Sequence, residues 1–167
     1  MIMSEIFKTN IFCSSPINQI KVKKKEIDTM FPMPIFDQIV KEKIKVDFVH
    51  ISVEEVLFSI ENEKLAKVIT IIEQLDYIPE INPGCIKVTI EGTAEFSGVP
   101  GIVAQVSSAL WKKGVQILQA ADSHKTIWVL IKEEDRKVAV DALWEVFNEL
   151  NRFCRKLNKD KLSAVPC

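Results

Sequence analysis

The turn Ser97–Gly101, with the sequence SGVPG, stands between a segment of alternating apolar residues and a segment of helical apolar spacing. Such a turn directs backbone N–H groups out of the first turn of a helix, where they and the helix dipole favour a negative charge. Glycine lets a ligand approach the backbone closely, whereas Pro100 has no N–H to donate. The amides of Gly101, Ile102 and Val103 could therefore bind a carboxylate. The alternative is a tight turn that binds nothing.

Catalytic chemistry has little support in the sequence. The two histidines, His50 and His124, have no neighbours at the spacing of metal ligands. The acidic pairs at 54–55 and 133–134 are predicted at a turn and at a helix start, where surface charge is the simpler explanation. The G-x-S-x-G, P-loop and G-x-G-x-x-G motifs do not occur in the chain. We therefore expect a protein that is not an enzyme and that uses no metal and no cofactor.

The residues around the glycine-containing turn have the periodicities of a small α/β unit. Apolar and polar side chains alternate over 86–91, as in a half-buried strand. Val103, Val106 and Leu110 share one face of the helix that follows, and Gly114 suits the end of that helix. The predicted order is strand, helix, strand, strand and helix, over residues 86–91, 100–113, 115–119, 125–132 and 133–157.

The first half of the chain repeats this pattern. Ile20–Val22 recurs as Ile86–Val88, and similar correspondences follow about 70 residues apart, a period that suits two copies of a small α/β unit better than a solenoid. Tyr77–Gly84 contains two prolines and is predicted to link the copies. The predicted strand, helix, two strands and helix of the first copy cover residues 17–24, 35–43, 45–52, 54–60 and 63–75.

This repeated order of elements, with its glycine-containing turn, resembles the ACT domain, a small module that binds amino acids. The likeness is to the C-terminal regulatory region of aspartokinases and to their small β-type subunits. It implies an α+β fold of two ferredoxin-like (βαββαβ) ACT units, each with an antiparallel sheet and helices on one face. The expected divisions are a first unit at 14–83, a second unit at 84–157 completed by an N-terminal strand at 5–13, and a tail at 158–167.

The resemblance also implies which further residues meet the ligand. Gln116 follows a Gly-Val pair where the family usually has asparagine, and Ser123 matches a family serine. Asp28 stands in for an acidic residue before the first helix, although no glycine there aligns with Gly101. The candidate ligand-binding residues are Ser97, Gly98, Val99, Pro100, Gly101, Ile102, Gln116, Ser123 and Asp28.

Composition narrows the possible partners and the location of the protein. The 22 basic and 23 acidic side chains give a formal net charge of -1, so neither nucleic acid nor an anionic membrane is expected as a partner. No apolar run reaches the ~20 residues of a membrane helix. The N-terminus lacks a secretory signal, and the four cysteines are scattered without a C-x-x-C pair. A cytoplasmic protein is expected.

The leading functional hypothesis is a regulatory protein that binds an aspartate-family amino acid, lysine or threonine, at interfaces between ACT units. An ACT pair without a catalytic domain would expose sheet edges, so a homodimer is expected. One alternative is a non-catalytic regulatory subunit of an aspartokinase, with a catalytic chain as its partner. The other is a ligand-free oligomerisation module.

Overall fold

The computed structural model describes residues 9–25, 28–92 and 101–163, and for residues 151 and 153–163 it describes the backbone alone. The strands are β1 (Thr9–Cys13), β2 (Ile17–Lys23), β3 (Asp47–Ile51), β4 (Glu55–Glu61), β5 (Pro79–Gly92), β6 (Gln119–Asp122) and β7 (Thr126–Lys132). The helices are α1 (Met33–Lys41), α2 (Leu65–Gln74), α3 (Ile102–Lys112) and α4 (Arg136–Ser163). Among these described helices, none has both the length and the apolarity to cross a bilayer.

The described residues form two compact units. One unit spans Pro16–Cys85, and the other combines residues 9–15 with the described residues from Ile86 onward. The strand β5 contributes residues to both units. Its residues before Ile86 pair with β2, and its residues from Val88 pair with β1.

In the unit Pro16–Cys85, β2 pairs antiparallel with β4 on one side and with the first part of β5 on the other, and β3 pairs antiparallel with β4. Ile20 and Val22 alternate along β2 with Lys21 and Lys23. The isoleucine and the valine pack against residues of α1 and α2, so the lysines lie on the opposite face of the sheet. The core contains Ile20, Val22, Ile35, Ile39, Ile44, Val56, Phe58, Ile60, Val68, Ile71, Ile72 and Tyr77.

In the other unit, β1 pairs antiparallel with residues 88–92 of β5, and β6 pairs antiparallel with β7. Strand β7 is also hydrogen-bonded to β5. The core contains Ile86, Val88, Ile90, Ile102, Val106, Leu110, Val115, Ile127, Val129, Ile131, Ala139, Leu143 and Phe147. Antiparallel strands covered by helices confirm the predicted α+β class.

The segment Tyr77–Gly84, predicted as a link, is strand from Pro79 onward, so this part of the prediction is wrong. Pro79 is the first residue of β5, a position where the missing N–H of proline is tolerated. The pairing of β2 with β5 changes register at 83–84, next to the second proline. Proline and glycine therefore mark the start of a strand and a bulge within it, and not a loop.

The end of α3 lies at the predicted helix stop, Gly114, but the strand after it begins later than predicted. The Gly114 N–H donates to the Trp111 carbonyl at 2.9 Å, and the next N–H, that of Val115, donates to the Leu110 carbonyl at 3.0 Å. This pair of bonds is the Schellman cap, which needs a left-handed residue after the helix, and Gly114 has φ 78°. Because Val115 completes the cap, the next strand begins at Gln119 instead of Val115.

Two terminal predictions can be placed on the described residues only in part. Helix α4 continues to Ser163, past the predicted end near Leu157. Residues 158–163 of the predicted tail are therefore helical, and residues 164–167 lie outside the described residues. Of the early strand predicted at 5–13, residues 9–13 form β1 and the remainder lies outside the described residues.

Candidate ligand-binding site at the start of α3

Helix α3 begins directly after Gly101, which has φ 77° and ψ 10° and therefore lies in the left-handed region that favours glycine. Its carbonyl accepts the Gln105 N–H at 2.9 Å, which closes the first turn of the helix. Within the part of the chain that the structure describes, no side chain caps this end, and the N–H groups of Ile102, Val103 and Ala104 have no acceptor. The first turn of α3 thus presents these N–H groups together with the positive end of the helix dipole.

Burial fixes the position of this helix end. Ile102 is 4% exposed, and Val106 and Leu110 are fully buried on the same side of α3, in the core with residues of β5. Val103 is 36% exposed and points away from that core, so the predicted stripe is displaced by one residue at its start. A first helical residue that is anchored in the core holds the amides of the turn in a constant position.

The hairpin between β6 and β7 brings Ser123 to the end of β5. The Ser123 N–H donates to the Thr126 carbonyl at 2.7 Å and closes the hairpin turn. The Gly92 N–H, at the last residue of β5, donates to the Lys125 carbonyl at 2.8 Å. Ser123 is exposed, and it belongs to the same turn as Lys125, whose carbonyl accepts the Gly92 N–H.

Gln116 lies at the other end of α3. It follows the cap formed by Gly114 and Val115, and its side chain is exposed. At 1.5 Å of rise per residue, the helix separates its two ends by ~15 Å. One amino acid bound at the start of α3 cannot also contact Gln116 of the same unit.

Asp28 lies in the other compact unit, in the turn before α1. Its Oδ1 accepts the N–H groups of Met30 and Phe31, each at 3.0 Å. The carboxylate of Asp28 therefore already binds backbone amides at the approach to a helix, which is the interaction predicted for a ligand at α3.

The candidates Ser97, Gly98, Val99 and Pro100 lie outside the described residues. The structure describes the site from its two ends, Gly92 before the turn and Gly101 after it. Sequence analysis did not identify Gly92 or Lys125 as neighbours of the site. A glycine directly after an alternating segment is a signal for a strand end, so Gly92 could have been found. The contact with Lys125 needs the hairpin pairing.

A cleft of about 450 Å³ runs between α3 and α4. In the wall of this cleft, Lys113 Nζ is 3.4 Å from Glu145 Oε2. Two of the charged side chains that line the cleft are therefore paired with each other. The lining combines small and charged side chains, among them Ala104, Ser108, Lys112, Ala142 and Glu149. Within the described residues, no group of His, Cys, Asp and Glu side chains could hold a metal ion.

Known proteins resemble both the sequence and the fold. Residues 80–145 match the family model of the ACT domain. Aspartokinase 1 of Bacillus subtilis is 36% identical over 147 residues, which cover 86% of this chain and 36% of that protein. The chain therefore spans about a third of the length of this curated relative.

Solved structures show the same fold. A chain in a crystal structure of aspartokinase α and β subunits has a TM-score of 0.75 at 19% identity, with 83% of this chain and 97% of that chain covered. The ligand-free regulatory subunit of aspartate kinase from Thermus thermophilus has a TM-score of 0.73 at 18% identity, with coverages of 84% and 98%. Residues 80–145 are thus similar to the ACT domain, and the chain has the fold of aspartate kinase regulatory subunits.

Proposed function

We propose that this chain is a regulatory protein of two ACT units that binds an aspartate-family amino acid, lysine or threonine. The observation that carries the proposal is the uncapped first turn of α3, which follows a left-handed glycine. The ACT match over 80–145 and the 36% identity to Aspartokinase 1 support the choice of ligand class.

The carboxylate of the amino acid is the group that fits the start of α3. The N–H groups of Ile102, Val103 and Ala104 belong to one helix turn and point out of its N-terminal end, and an anion there also gains from the helix dipole. Hydrogen bonds to a charged group contribute about 1.5–3 kcal/mol each. Ser123 offers a hydroxyl in the turn beside Gly92, and the proposal includes it as a side chain that helps to select the ligand.

The proposal includes a homodimer in which ACT units of two copies enclose the ligand. Gln116 is ~15 Å from the start of α3 along the helix axis. A ligand that contacts both regions must therefore take Gln116 from a second copy. Such an arrangement would couple ligand binding to the packing of the two copies, which a catalytic partner could sense.

Isothermal titration calorimetry with each standard amino acid tests the proposal. Lysine or threonine should give saturable heat. Val103→Pro removes one N–H at the second helical position, where α1 already tolerates Pro34. It should weaken binding about tenfold or more, because one charge-assisted hydrogen bond is lost. Val103→Ala, which keeps the N–H, is the matched control. Absence of heat with every amino acid would exclude a sensor and favour a ligand-free oligomerisation module.

A second candidate function is the non-catalytic regulatory subunit of a separate aspartokinase catalytic chain. The structural similarity extends over 98% of the Thermus thermophilus regulatory subunit, which supports this reading. Affinity purification of the tagged chain from its own cells, followed by mass spectrometry, tests it. A stoichiometric kinase chain would support a subunit, and recovery of the chain by itself would favour a free-standing sensor.

A further inference from the structure

The first half of α4 carries a line of acidic residues on its exposed face. Asp141, Glu145 and Glu149 are exposed and follow one another at intervals of four residues, so they lie on one side of the helix. We call these three residues the acidic stripe. Lys113 pairs with Glu145, whereas among the described side chains neither Asp141 nor Glu149 has an ion-pair partner. Most of the stripe is therefore not neutralised by the described part of its own unit.

The second half of the same helix is basic. Between residues 151 and 163 the sequence has five basic residues and one acidic residue. At 3.6 residues per turn, three of the basic positions continue the line of the acidic stripe along the helix. They are Arg152, Lys156 and Lys159. One face of α4 is thus acidic up to Glu149 and basic from Arg152.

The helix dipole does not account for this division. Its effect falls off within the first and last turns of a helix, whereas Glu145 lies more than two turns after the start of α4 at Arg136. Between residues 141 and 159, charged residues that are four apart all have the same sign, which destabilises an isolated helix. Glu149 and Arg152, three apart, are the one oppositely charged pair at helical contact spacing in this span. A partner that brings opposite charge to each half would remove the repulsion.

Helix α4 also extends past the core of its unit. Leu150 is the last residue of α4 whose described side chain packs against that core, and Arg152 is exposed. The backbone remains helical to Ser163, ~20 Å beyond Leu150 at 1.5 Å of rise per residue. Helices in proteins obtain most of their stability from packing against a neighbour. The basic half of α4 therefore needs a neighbour that this core does not provide.

The rest of the chain does not supply that neighbour. Residues 1–8, 26–27, 93–100 and 164–167, which lie outside the described residues, contain one basic residue, Lys8, and three acidic residues. These charges are too few to neutralise both halves of α4. A second copy of α4 has the required charges in the required order. When it is turned antiparallel, its basic half lies along the acidic stripe, and its acidic stripe lies along the basic half.

We propose that two copies of the chain associate through their α4 helices, which pair antiparallel about the segment between Glu149 and Arg152. Because the pairing is symmetric, every contact occurs twice. The facing residues of the two copies are Glu149 with Arg152, Glu145 with Lys156, and Asp141 with Lys159. This interface goes beyond the proposed function, since it involves neither the start of α3 nor Gln116 and forms without an amino acid.

The association should be sensitive to salt. A single exposed ion pair is weak, so the interface depends on the whole set of pairs and on how little they are screened. Trp144, which is 39% exposed and lies three residues after Asp141, adds apolar surface beside the acidic stripe. An increase in NaCl from about 50 mM to about 500 mM should weaken the association about tenfold or more, as sedimentation equilibrium measures.

Zero-length cross-linking of the full chain identifies the pairing. A carbodiimide joins a carboxylate to a lysine amine only where the two groups are in contact. Glu145 and Lys156 lie ~16 Å apart along one helix, so a cross-link between them must join two copies. An equal mixture of ¹⁴N and ¹⁵N chains should give mixed-isotope peptides that link Glu145 to Lys156 and Asp141 to Lys159 at low salt. Absence of both peptides at low salt would overturn the proposal.

Charge reversal provides the second test. Asp141→Lys with Glu145→Lys makes the first half of α4 basic, and Lys156→Glu with Lys159→Glu makes the second half acidic. Each double variant should associate about tenfold or more weakly than the wild type, because like charges then face each other. A mixture of the two variants restores every opposite pair and should associate about as strongly as the wild type. A mixture that associates no better than its components would contradict the antiparallel register.

A matched control separates this effect from a change in net charge. Glu63→Lys with Glu73→Lys alters two exposed carboxylates of the unit Pro16–Cys85 and should associate like the wild type. Thermal melts of all variants verify that they fold. No amino acid is present in these measurements, so a failure of the α4 interface leaves the proposed amino-acid binding intact, and calorimetry without heat leaves the α4 interface intact.

Discussion

Glu80 lies opposite Lys21 in the antiparallel pairing of β2 with β5, and its carboxylate is 2.9 Å from the Lys21 ammonium. Lys23, two residues along β2, reaches the same carboxylate at 3.0 Å. The two lysines lie on the sheet face opposite the helices, so one acidic residue of β5 is held by two basic residues of β2. These contacts help to explain why a segment with two prolines pairs as a strand.

Stability should fall in acid in a way that depends on Glu80. Hydrogen bonds from Lys21 and Lys23 lower the pKa of the Glu80 carboxyl below its ordinary value. A lowered folded-state pKa contributes stability above the ordinary pKa of glutamate, and this contribution is lost as the pH falls through the folded-state pKa. Glu80→Gln should therefore flatten the pH dependence of the free energy of unfolding on the acid side, as measured by urea denaturation. Glu73→Gln, on the exposed side of α2, is the control and should leave the profile unchanged.

Glycine should stabilise the end of α1. Lys43 follows this helix with φ 52° and donates its N–H to the Val40 carbonyl at 2.9 Å. A left-handed residue that is not glycine carries a steric cost, so Lys43→Gly should raise the free energy of unfolding by about 0.5–1 kcal/mol. Lys41→Gly, inside the last turn of the same helix, should lower it by about 1 kcal/mol. Equal effects of the two substitutions in chemical denaturation would contradict the assignment of the cap.

The core beneath α3 should depend strongly on Leu110. Its side chain is fully buried, whereas the adjacent Trp111 is 78% exposed. Leu110→Ala should cost about 2–5 kcal/mol because it leaves a cavity in a packed core. Trp111→Ala should change stability by no more than ~0.5 kcal/mol. Urea unfolding of both variants measures the difference, and a comparable loss in the two would contradict the packing of α3.

Substitution of Gln116 tests whether two copies of the chain together form one amino-acid site. If a second copy contributes Gln116, Gln116→Ala weakens amino-acid binding, and the apparent affinity of the wild type increases with protein concentration. Calorimetry at several protein concentrations, with sedimentation velocity on the same samples, measures both effects. Unchanged affinity in Gln116→Ala would mean that the ligand contacts only the start of α3.

Periodicity predicted the helices better than the segments between them. The stripe that leads to Val106 and Leu110 identified α3, because a helix that covers one core must repeat its apolar residues at helical spacing. The same spacing assigned Val103 to the core instead of Ile102. Both residues are apolar and adjacent, so spacing alone does not decide which of the two is buried. Pro79 and Pro83 led to the prediction of a link between the copies instead of a strand, because local signals do not reveal a cross-strand partner such as Lys21.

The candidate site was predictable to a similar degree. Gly101 before a helical segment is a local signal and correctly indicated a helix start. The separation of Gln116 from that start followed only from the length of α3 and its cap. The sequence likewise does not show that Asp28 accepts hydrogen bonds from backbone amides. An aspartate before a helix can either cap the chain or contact a ligand, and only the structure distinguishes the two.

The pairing of β1 with residues 88–92 affects how the protein emerges from the ribosome. Residues 9–13 leave the exit tunnel before the unit Pro16–Cys85, yet their partner strand is synthesised only after the whole of that unit. The unit Pro16–Cys85 is continuous in sequence and can close as soon as residue 85 is available. Strand β1 must wait unpaired throughout that interval, so it needs protection from other unpaired strands while the unit Pro16–Cys85 is synthesised.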